Sequence, residues 1–245
     1  MKKKIQLVIP VAGPNTEFDK MGNHKLLLDI YNKKFIQWVQ LSRPYDISDG
    51  LFIFNKFHEQ KYNLVKNLSK ILGKKIKYKI LNRYTEGAPQ TVMQIKDLIS
   101  LDAPMFIDLL DQYLDLRNFY NYCFKSKFDG CLPIFQSLYH NRGYAILSKN
   151  NKIKFISEKD KKPISTNSTG CISYFKKAKD FFYFCDLMIK NKTKSSNGKY
   201  MISLVFNEMI KKKYKIVGYN CDFVASLGSK NSIKSFPENC RLIHY

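Results

Sequence analysis

The chain has 245 residues, enough for one compact domain with a substantial core. Hydrophobic residues make up 44% of it and aromatic residues 14%, which excludes disorder over most of its length. Its 42 Lys and Arg residues outnumber the 20 Asp and Glu residues, and the formal charge of +22 attracts anions. The lysines are scattered rather than arranged in a stripe, so we expect small phosphorylated ligands and no nucleic acid as partners.

The first two thirds of the chain alternate short apolar runs with segments of helical periodicity. Strands are predicted at 5–11, 50–55, 75–81 and 104–110, and helices at 33–42, 58–72 and 88–100. Strands that alternate with helices form mostly parallel sheets that are covered on both faces. The sequence therefore predicts an α/β fold with a Rossmann-like, mostly parallel mixed sheet between helices.

After Phe128 the strand candidates follow one another more closely, which predicts an antiparallel extension of the sheet. These candidates are 130–137, 143–150, 151–158 and 169–176, with a hairpin turn at Asn150 and Asn151. Helices are predicted at 177–190, 199–212 and 229–236, a further strand at 215–220, and a flexible insert at 192–199. We expect a single domain over residues 1–245.

The cysteine pattern and the apolar runs bear on the cellular compartment. The six cysteines form no CxxC pair, and none lies at a zinc-ligand spacing from the four histidines, so buried free thiols are expected. No apolar run reaches the ~18 residues that a membrane span needs. We expect a cytoplasmic protein with no membrane partner.

Residues 7–18, LVIPVAGPNTEF, form an apolar run that a glycine, a proline and small polar residues break. In open parallel sheets, ligands bind beyond the carboxyl ends of the strands, and the loop after the first strand commonly holds phosphate. Exposed backbone N–H groups in such a loop attract anions. Residues 12–16 are therefore a candidate phosphate-binding loop, and an ordinary turn is the alternative that this stretch alone leaves open.

Residues 8–39, VIPVAGPNTEFDKMGNHKLLLDIYNKKFIQWV, resemble the N-terminal region of sugar-phosphate nucleotidyltransferases. Later stretches resemble the same family in the same order, namely TEGAPQTVMQIKDLI at 85–99, PMFIDLLDQYLD at 104–115, FISEKDKKPIS at 155–165, STGCISYFKK at 168–177 and NGKYMISLVFNEMI at 197–210. The resemblance covers nearly the whole chain. It implies the GT-A-like fold of nucleotide-sugar pyrophosphorylases.

The resemblance also implies an enzyme of the pyrophosphorylase type. A phosphate oxygen of a sugar phosphate, or of a similar phosphorylated small molecule, would attack the α-phosphorus of a nucleoside triphosphate and release pyrophosphate. The nucleotide would bind to the half at 1–127, through Ala12, Gly13, Asn15, Thr16, Glu86, Gly87 and Ala88, and the acceptor to the half at 128–245, through Tyr144, Glu158, Lys159 and Asn197. Catalytic roles would fall on Lys25, Asp111 and Lys159. Surface polysaccharide assembly is the implied pathway, and the family allows a homo-oligomer.

Magnesium is the implied cofactor, because it is a hard cation that binds phosphate and carboxylate oxygens. Asp111 ends an apolar strand, where a carboxylate is costly to bury without a cation or hydrogen-bond donors. We expect it to bind the metal, with a helix cap for the segment from Leu114 as the alternative. Asp222 is the candidate second ligand, and Asp108 and Asp115 are further candidates.

The sequence departs from the family pattern at two places. Asn15 and Glu17 occupy the positions of a second glycine and an arginine, and a carboxylate would repel the triphosphate that the arginine holds. Ser226 occupies the position of the second metal-binding aspartate. A catalytically degenerate relative that binds nucleotide or a partner enzyme is therefore the alternative function. A glycosyltransferase ranks lower, because the chain has no Asp-x-Asp tripeptide.

Overall fold

The computed structural model describes residues 6–125 and 127–240, with side chains up to residue 236. The strands are β1 (Gln6–Val11), β2 (Asp29–Ile30), β3 (Lys33–Lys34), β4 (Leu51–Asn55), β5 (Lys77–Leu81), β6 (Met105–Asp108), β7 (Gln112–Leu114), β8 (Gly130–Gln136), β9 (Gly143–Leu147), β10 (Ile153–Glu158), β11 (Asn167–Thr169), β12 (Ile172–Phe175), β13 (Ile216–Asn220) and β14 (Val224–Ser226). The helices are α1 (Thr16–Asp19), α2 (Phe35–Leu41), α3 (Lys56–Tyr62), α4 (Leu64–Ile71), α5 (Ala88–Met93), α6 (Phe119–Lys125), α7 (Ala178–Lys190), α8 (Ile202–Lys211) and α9 (Lys230–Cys240). Short 3₁₀ helices lie at Lys25–Leu27, Ile47–Asp49, Lys96–Leu98 and Lys149–Asn151.

One large mixed sheet runs through the molecule in the order β10-β9-β11-β8-β12-β6-β1-β4-β5, and β13 pairs with β8. Strands β6, β1, β4 and β5 are parallel to one another. Strand β12 pairs antiparallel with both β6 and β8, and β11, β9 and β10 continue antiparallel to the edge. The predicted α/β fold, with a parallel half and an antiparallel extension, is confirmed.

The core lies on both faces of this sheet. Ile9 of β1 belongs to one buried apolar cluster and its neighbour Val8 to the other, and both are 0% exposed. Successive side chains of a strand point to opposite faces, so the two clusters cover opposite sides of the sheet. The unbroken apolar run of β1 thus reflects a central strand that is buried on both faces.

Two predicted helices are shorter than their periodicity indicated. The helix predicted at 58–72 is two helices, α3 and α4, because Asn63 between them adopts a left-handed φ of 47°. Asparagine tolerates this conformation, and the Glu59 carboxylate accepts the Val65 N–H of the second helix. The helix predicted at 88–100 ends at Met93, and its continuation is a 3₁₀ turn.

The edge strand β10 is covered by helix α8. The side chain of Asn207 accepts the backbone N–H of Ile156 at 2.9 Å and donates to the carbonyl of the same residue at 2.7 Å. An uncovered edge strand presents unpaired backbone groups that pair with other chains. Asn207 satisfies two of these groups from within the molecule.

The described cysteines agree with the expectation of buried free thiols. Cys123, Cys131, Cys171, Cys185 and Cys221 are buried free thiols, whereas the side chain of Cys240 lies outside the described residues. Across the described part of the chain, no helix combines the length and the apolar character that a membrane crossing requires.

Candidate active site

A cleft of about 820 Å³ opens at the carboxyl ends of β1 and β6. Its walls are the loop after β1, the segment before α5, the turn after β6, the segment at 194–201, and Gly228. Ligands bind in open α/β sheets at this end of the parallel strands. Of the residues predicted from the sequence, Gly13, Asn15, Thr16, Lys25, Glu86, Gly87, Ala88, Asp111 and Asn197 line the cleft.

The loop after β1 is fixed by Asn15, which is only 6% exposed. Its side-chain amide donates to Asp19 at 3.2 Å and to the Asn23 carbonyl at 3.0 Å, and its oxygen accepts the Lys25 N–H at 3.3 Å. Asn15 therefore positions the loop and Lys25 rather than offering a free side chain to a ligand. Gly13 is exposed, and a Cβ atom there would meet nothing within 4 Å, which leaves open space beside the backbone.

Glu17, which stands where the family has an arginine, is engaged with the last helix. Its carboxylate accepts the backbone N–H of Lys230, the first residue of α9, at 3.1 Å. A carboxylate at the start of a helix is stabilised by unpaired N–H groups and by the helix dipole. This contact accounts for a negative residue at the rim of the cleft.

Lys25 and Asp111, far apart in sequence, meet in the cleft. The Lys25 ammonium forms an ion pair with Oδ1 of Asp111, and the two side chains are 20% and 39% exposed. The backbone N–H of Leu227 donates to the Asp111 carbonyl at 2.7 Å, which brings Gly228 beside the same residue. The turn after β6, the 3₁₀ helix at Lys25–Leu27 and the end of β14 thus converge on one carboxylate.

The other three aspartates predicted as candidate metal ligands do not lie beside Asp111. In the β7–β14 ribbon, Ser226 is opposite Gln112 and Val224 is opposite Leu114, so Asp222 lies at the far end of the ribbon from Asp111. Asp115 pairs with Arg117, and Asp108 is fully buried against Arg43. The antiparallel register therefore separates Asp222, the predicted second metal ligand, from Asp111 and the cleft.

The segment before α5 makes close contact with the opposite wall. A Cβ atom on Gly87 would overlap the Tyr200 carbonyl oxygen, so only glycine lets the two backbones approach this closely. The Glu86 carboxylate forms an ion pair with the Lys194 ammonium at 3.0 Å, and the Glu86 backbone carbonyl accepts the Tyr200 N–H at 3.4 Å. These contacts join the two halves of the chain across the cleft.

The segment at 192–199, predicted as a flexible insert, forms a hydrogen-bonded turn in this wall. The Ser195 hydroxyl donates to the Lys199 carbonyl at 2.7 Å, and the Gly198 N–H donates to the Ser195 carbonyl at 2.8 Å. Gly198 has a φ of 78°, which glycine adopts without a steric cost. Besides the predicted Asn197, the turn contributes Lys194 and Lys199, which no motif in the sequence identified.

Five predicted residues lie outside the cleft lining. Glu158 is 7% exposed and accepts a hydrogen bond from the Ser203 hydroxyl, and its burial raises the pKa of its carboxyl group. The Lys159 ammonium donates to the Asn141 carbonyl at 2.7 Å. Tyr144 is 1% exposed, and its hydroxyl donates a hydrogen bond to the Tyr139 carbonyl. Ala12 and Asp222 complete this set.

In this structure the side chains of Tyr144, Glu158 and Lys159, predicted to contact the acceptor, are directed away from the cleft. Glu158 ends β10 with its carboxylate packed against Gly143, where a Cβ atom would overlap it. Residue 159 follows with a left-handed φ of 64°, and its side chain returns to the neighbouring loop. The register of the strands decides to which face each side chain points, and the sequence motif alone does not reveal that register.

His24 is a cleft residue that the sequence reasoning missed. It is 2% exposed, and burial lowers the pKa of its imidazole to about 3, so the ring is neutral at physiological pH. Its Nδ1 accepts the Leu26 N–H at 3.4 Å at the start of the 3₁₀ helix that carries Lys25. His24 thus acts on the site by holding this short helix.

Comparison with known proteins identifies the fold. No family model and no curated protein matches the chain. Among solved structures, a nucleoside-diphosphate-sugar pyrophosphorylase from Vibrio cholerae RC9 aligns with a TM-score of 0.78 and 20% identity, over 96% of this chain and 100% of that one. A UDP-glucose pyrophosphorylase bound to UDP-glucose gives 0.76 and 15%, over 98% and 100%.

A Bacillus anthracis protein provisionally named as a glucose-1-phosphate thymidylyltransferase, in complex with sucrose, gives a TM-score of 0.75 and 19% identity, over 99% of this chain and 97% of that one. The likeness extends over nearly the full length of each chain. The resemblance deduced from the sequence motifs is confirmed at this level, and the chain has the fold of the nucleotide-sugar pyrophosphorylases.

Proposed function

We propose that this protein is a nucleotidyltransferase that joins a nucleoside triphosphate to a phosphorylated acceptor, a sugar phosphate or a similar small molecule, and releases pyrophosphate. The observation that carries the proposal is the meeting of Lys25, Asp111 and the loop after β1 in one cleft. Nucleotidyl transfer needs little beyond correct positioning and neutralisation of phosphate charge. The cleft offers both, and its volume of about 820 Å³ is in the range of ligand sites.

Lys25 is the residue we assign to the phosphates. Asp111 holds its ammonium at the cleft, and the Asn15 side chain holds its backbone. A cation fixed in advance stabilises charge that develops in the transition state without reorganisation. Lys25 would thus neutralise non-bridging phosphate oxygens while the acceptor phosphate displaces pyrophosphate.

Asp111 is the residue we assign to Mg²⁺. Within the described residues, no group of three His, Cys, Asp or Glu side chains is arranged to hold a metal. A single carboxylate fits Mg²⁺, which keeps several waters and is usually held by one or two carboxylates plus substrate phosphates. Lys25 contacts Oδ1 of Asp111, and Oδ2 is the oxygen we assign to the metal. Bound there, Mg²⁺ would supply further neutralisation of the triphosphate.

The turn at 194–200 is the wall we assign to the acceptor. Because the Lys159 ammonium donates to the Asn141 carbonyl, we assign the acceptor phosphate to another cation. Lys199 lines the cleft and belongs to this turn. Lys199→Ala is expected to raise the KM for the acceptor with little effect on that for the triphosphate, and Lys159→Ala is the matched control that leaves both unchanged.

Pyrophosphate release measured with CTP, dTTP, UTP and GTP, each against a panel of sugar phosphates with Mg²⁺, tests the proposal. We expect turnover with at least one pair, and its loss in Asp111→Asn, which keeps the size of the side chain. A role in surface polysaccharide assembly is part of the proposal and depends on which acceptor reacts.

A non-catalytic relative that binds nucleotide or a partner enzyme is the alternative function. It is favoured by Glu17, whose carboxylate at the rim of the cleft is engaged with α9, and by the displaced Lys159. Thermal shift with the same triphosphates separates the two functions, since a ligand that binds the folded state raises the melting temperature. Stabilisation by a triphosphate without pyrophosphate release from any pair would favour the alternative.

A further inference from the structure

A buried ion pair lies directly beneath the turn that carries Asp111. Asp108, the last residue of β6, and Arg43, just after α2, have fully buried side chains. Nε of Arg43 donates to Oδ2 of Asp108 at 2.6 Å and Nη2 donates to Oδ1 at 3.1 Å. The Tyr45 hydroxyl donates to Oδ2 at 2.9 Å. The carboxylate is thus fixed by two neighbouring side chains.

Stability alone gives no reason for this pair. Removing two charges from water is costly, and apolar residues of similar volume often stabilise a fold as well or better. The aspartate holds Arg43 in its charged form and raises the pKa of the guanidinium, while burial raises the pKa of the Tyr45 hydroxyl. Two hydrogen bonds fix the pair within the apolar interior, which points to a role in specifying geometry.

The geometry that the pair specifies is the turn at Leu110. Oδ1 of Asp108 accepts the Leu110 N–H at 2.9 Å, and Leu110 has a left-handed φ of 58°. A leucine rarely adopts this conformation, because its Cβ atom approaches the carbonyl oxygen that follows. Residues in such conformations persist where the surroundings over-determine them, often at functional sites. The left-handed residue turns the chain so that the next side chain, Asp111, reaches Lys25 in the cleft.

We propose that Arg43 and Asp108 are positioning residues for Asp111, which they act on through the hydrogen bond from Leu110 to Asp108. The expected effect on kcat rests on the proposed function, whereas the expected effect on the direction of the Asp111 carboxylate does not. Neither residue touches the cleft, so both act only by setting the direction of the Asp111 carboxylate.

Two double variants separate positioning from folding. Arg43→Met with Asp108→Val removes the charges together and leaves Leu110 without its acceptor. Arg43→Gln with Asp108→Asn also removes both charges but keeps an amide oxygen for the Leu110 N–H. Met188→Ala, in the core of α7 on the opposite face of the sheet, is the control for loss of stability without any contact to the turn.

The apolar pair is expected to lower kcat on the order of a hundredfold, since small misplacements of catalytic groups have effects of this size. It should also raise the Mg²⁺ concentration that gives half-maximal rate. The Gln–Asn pair is expected to stay within about threefold of the wild type in kcat, because the acceptor for Leu110 remains. Met188→Ala should leave the Mg²⁺ dependence unchanged while it lowers the melting temperature.

Crystal structures of the two double variants give a readout that does not depend on activity. The proposal expects φ of residue 110 to leave the left-handed region, and the Asp111 carboxylate to separate from Lys25, in the apolar pair alone. An apolar pair that keeps both features, or whose kcat follows its melting temperature as in Met188→Ala, would overturn it. If the wild-type protein turns over no substrate pair, the proposed function fails while the crystal structures still decide the positioning role.

Discussion

Replacing Lys25 by methionine is expected to separate the stability of the protein from its activity. The ion pair with Asp111 has side chains that are 20% and 39% exposed, so water already solvates both charges. Pairs of this kind stabilise proteins by about 0–1 kcal/mol. The remaining Asp111 carboxylate stays hydrated, so no buried charge is left unpaired, and the free energy of unfolding should fall by at most about 1 kcal/mol.

The effect of the same substitution on turnover should be much larger. Removing one preorganised donor from a developing oxyanion typically lowers kcat by about 10²–10³, or 2.7–4 kcal/mol. In Lys25→Met the Asp111 charge is also left without its cation, which should raise the KM for the triphosphate. Urea unfolding and pyrophosphate release from the same preparations measure the two effects.

Lys34→Met is the matched control, because Lys34 forms an ion pair of 2.7 Å with Asp29 away from the cleft. It should reproduce the small change in stability without the change in kcat. The reasoning is refuted if Lys25→Met loses several kcal/mol of stability, or if it turns over substrate at the rate of Lys34→Met.

Three further substitutions test individual contacts. Asn207→Leu leaves the N–H and carbonyl of Ile156 without partners and should cost about 2–6 kcal/mol in urea unfolding, from two buried groups at about 1–3 kcal/mol each; a loss below 1 kcal/mol would contradict this. Gly87→Ala should force the Tyr200 backbone away and raise the acceptor KM, and an unchanged KM would show that the wall tolerates the methyl group. Glu158→Gln tests the raised pKa of the Glu158 carboxyl group, which holds its proton in the folded protein above pH 4.5, the ordinary pKa of glutamate. The stability of the wild type relative to the variant should therefore fall as the pH rises from 4.5 through the raised pKa. A difference in stability that does not change with pH would contradict this.

The sequence predicted the helices and strands in which apolar residues recur periodically or form a continuous run. Strand β1 could be located from its continuous apolar run, which is typical of a central strand buried on both faces. The loop after it could be located because small and polar residues follow this run directly. Lys25 and Asp111 could be brought to one cleft only through the resemblance to a family, since 86 residues separate them. Composition and periodicity carry no information on that contact.

The parts that could not be predicted depend on side-chain direction and on contacts between distant residues. Glu158 and Tyr144 lie on strands at the expected places, but register turns their side chains into the protein. Asp222 lies in the expected segment, at the end of the β7–β14 ribbon that is away from Asp111. Asp108 reads as a possible metal ligand until Arg43, 65 residues earlier, is seen to neutralise it.

The contact between Glu17 and α9 has a practical consequence for the design of expression plasmids and truncated variants. The amide of Lys230 is fastened to the loop beside the cleft, and the Phe236 ring of the same helix packs edge-on against Trp38 at 5.5 Å. Shortening the chain before Lys230 would release Glu17 and expose the indole. A weak nucleotide response from a protein shortened in this way would therefore say little about a protein that keeps α9.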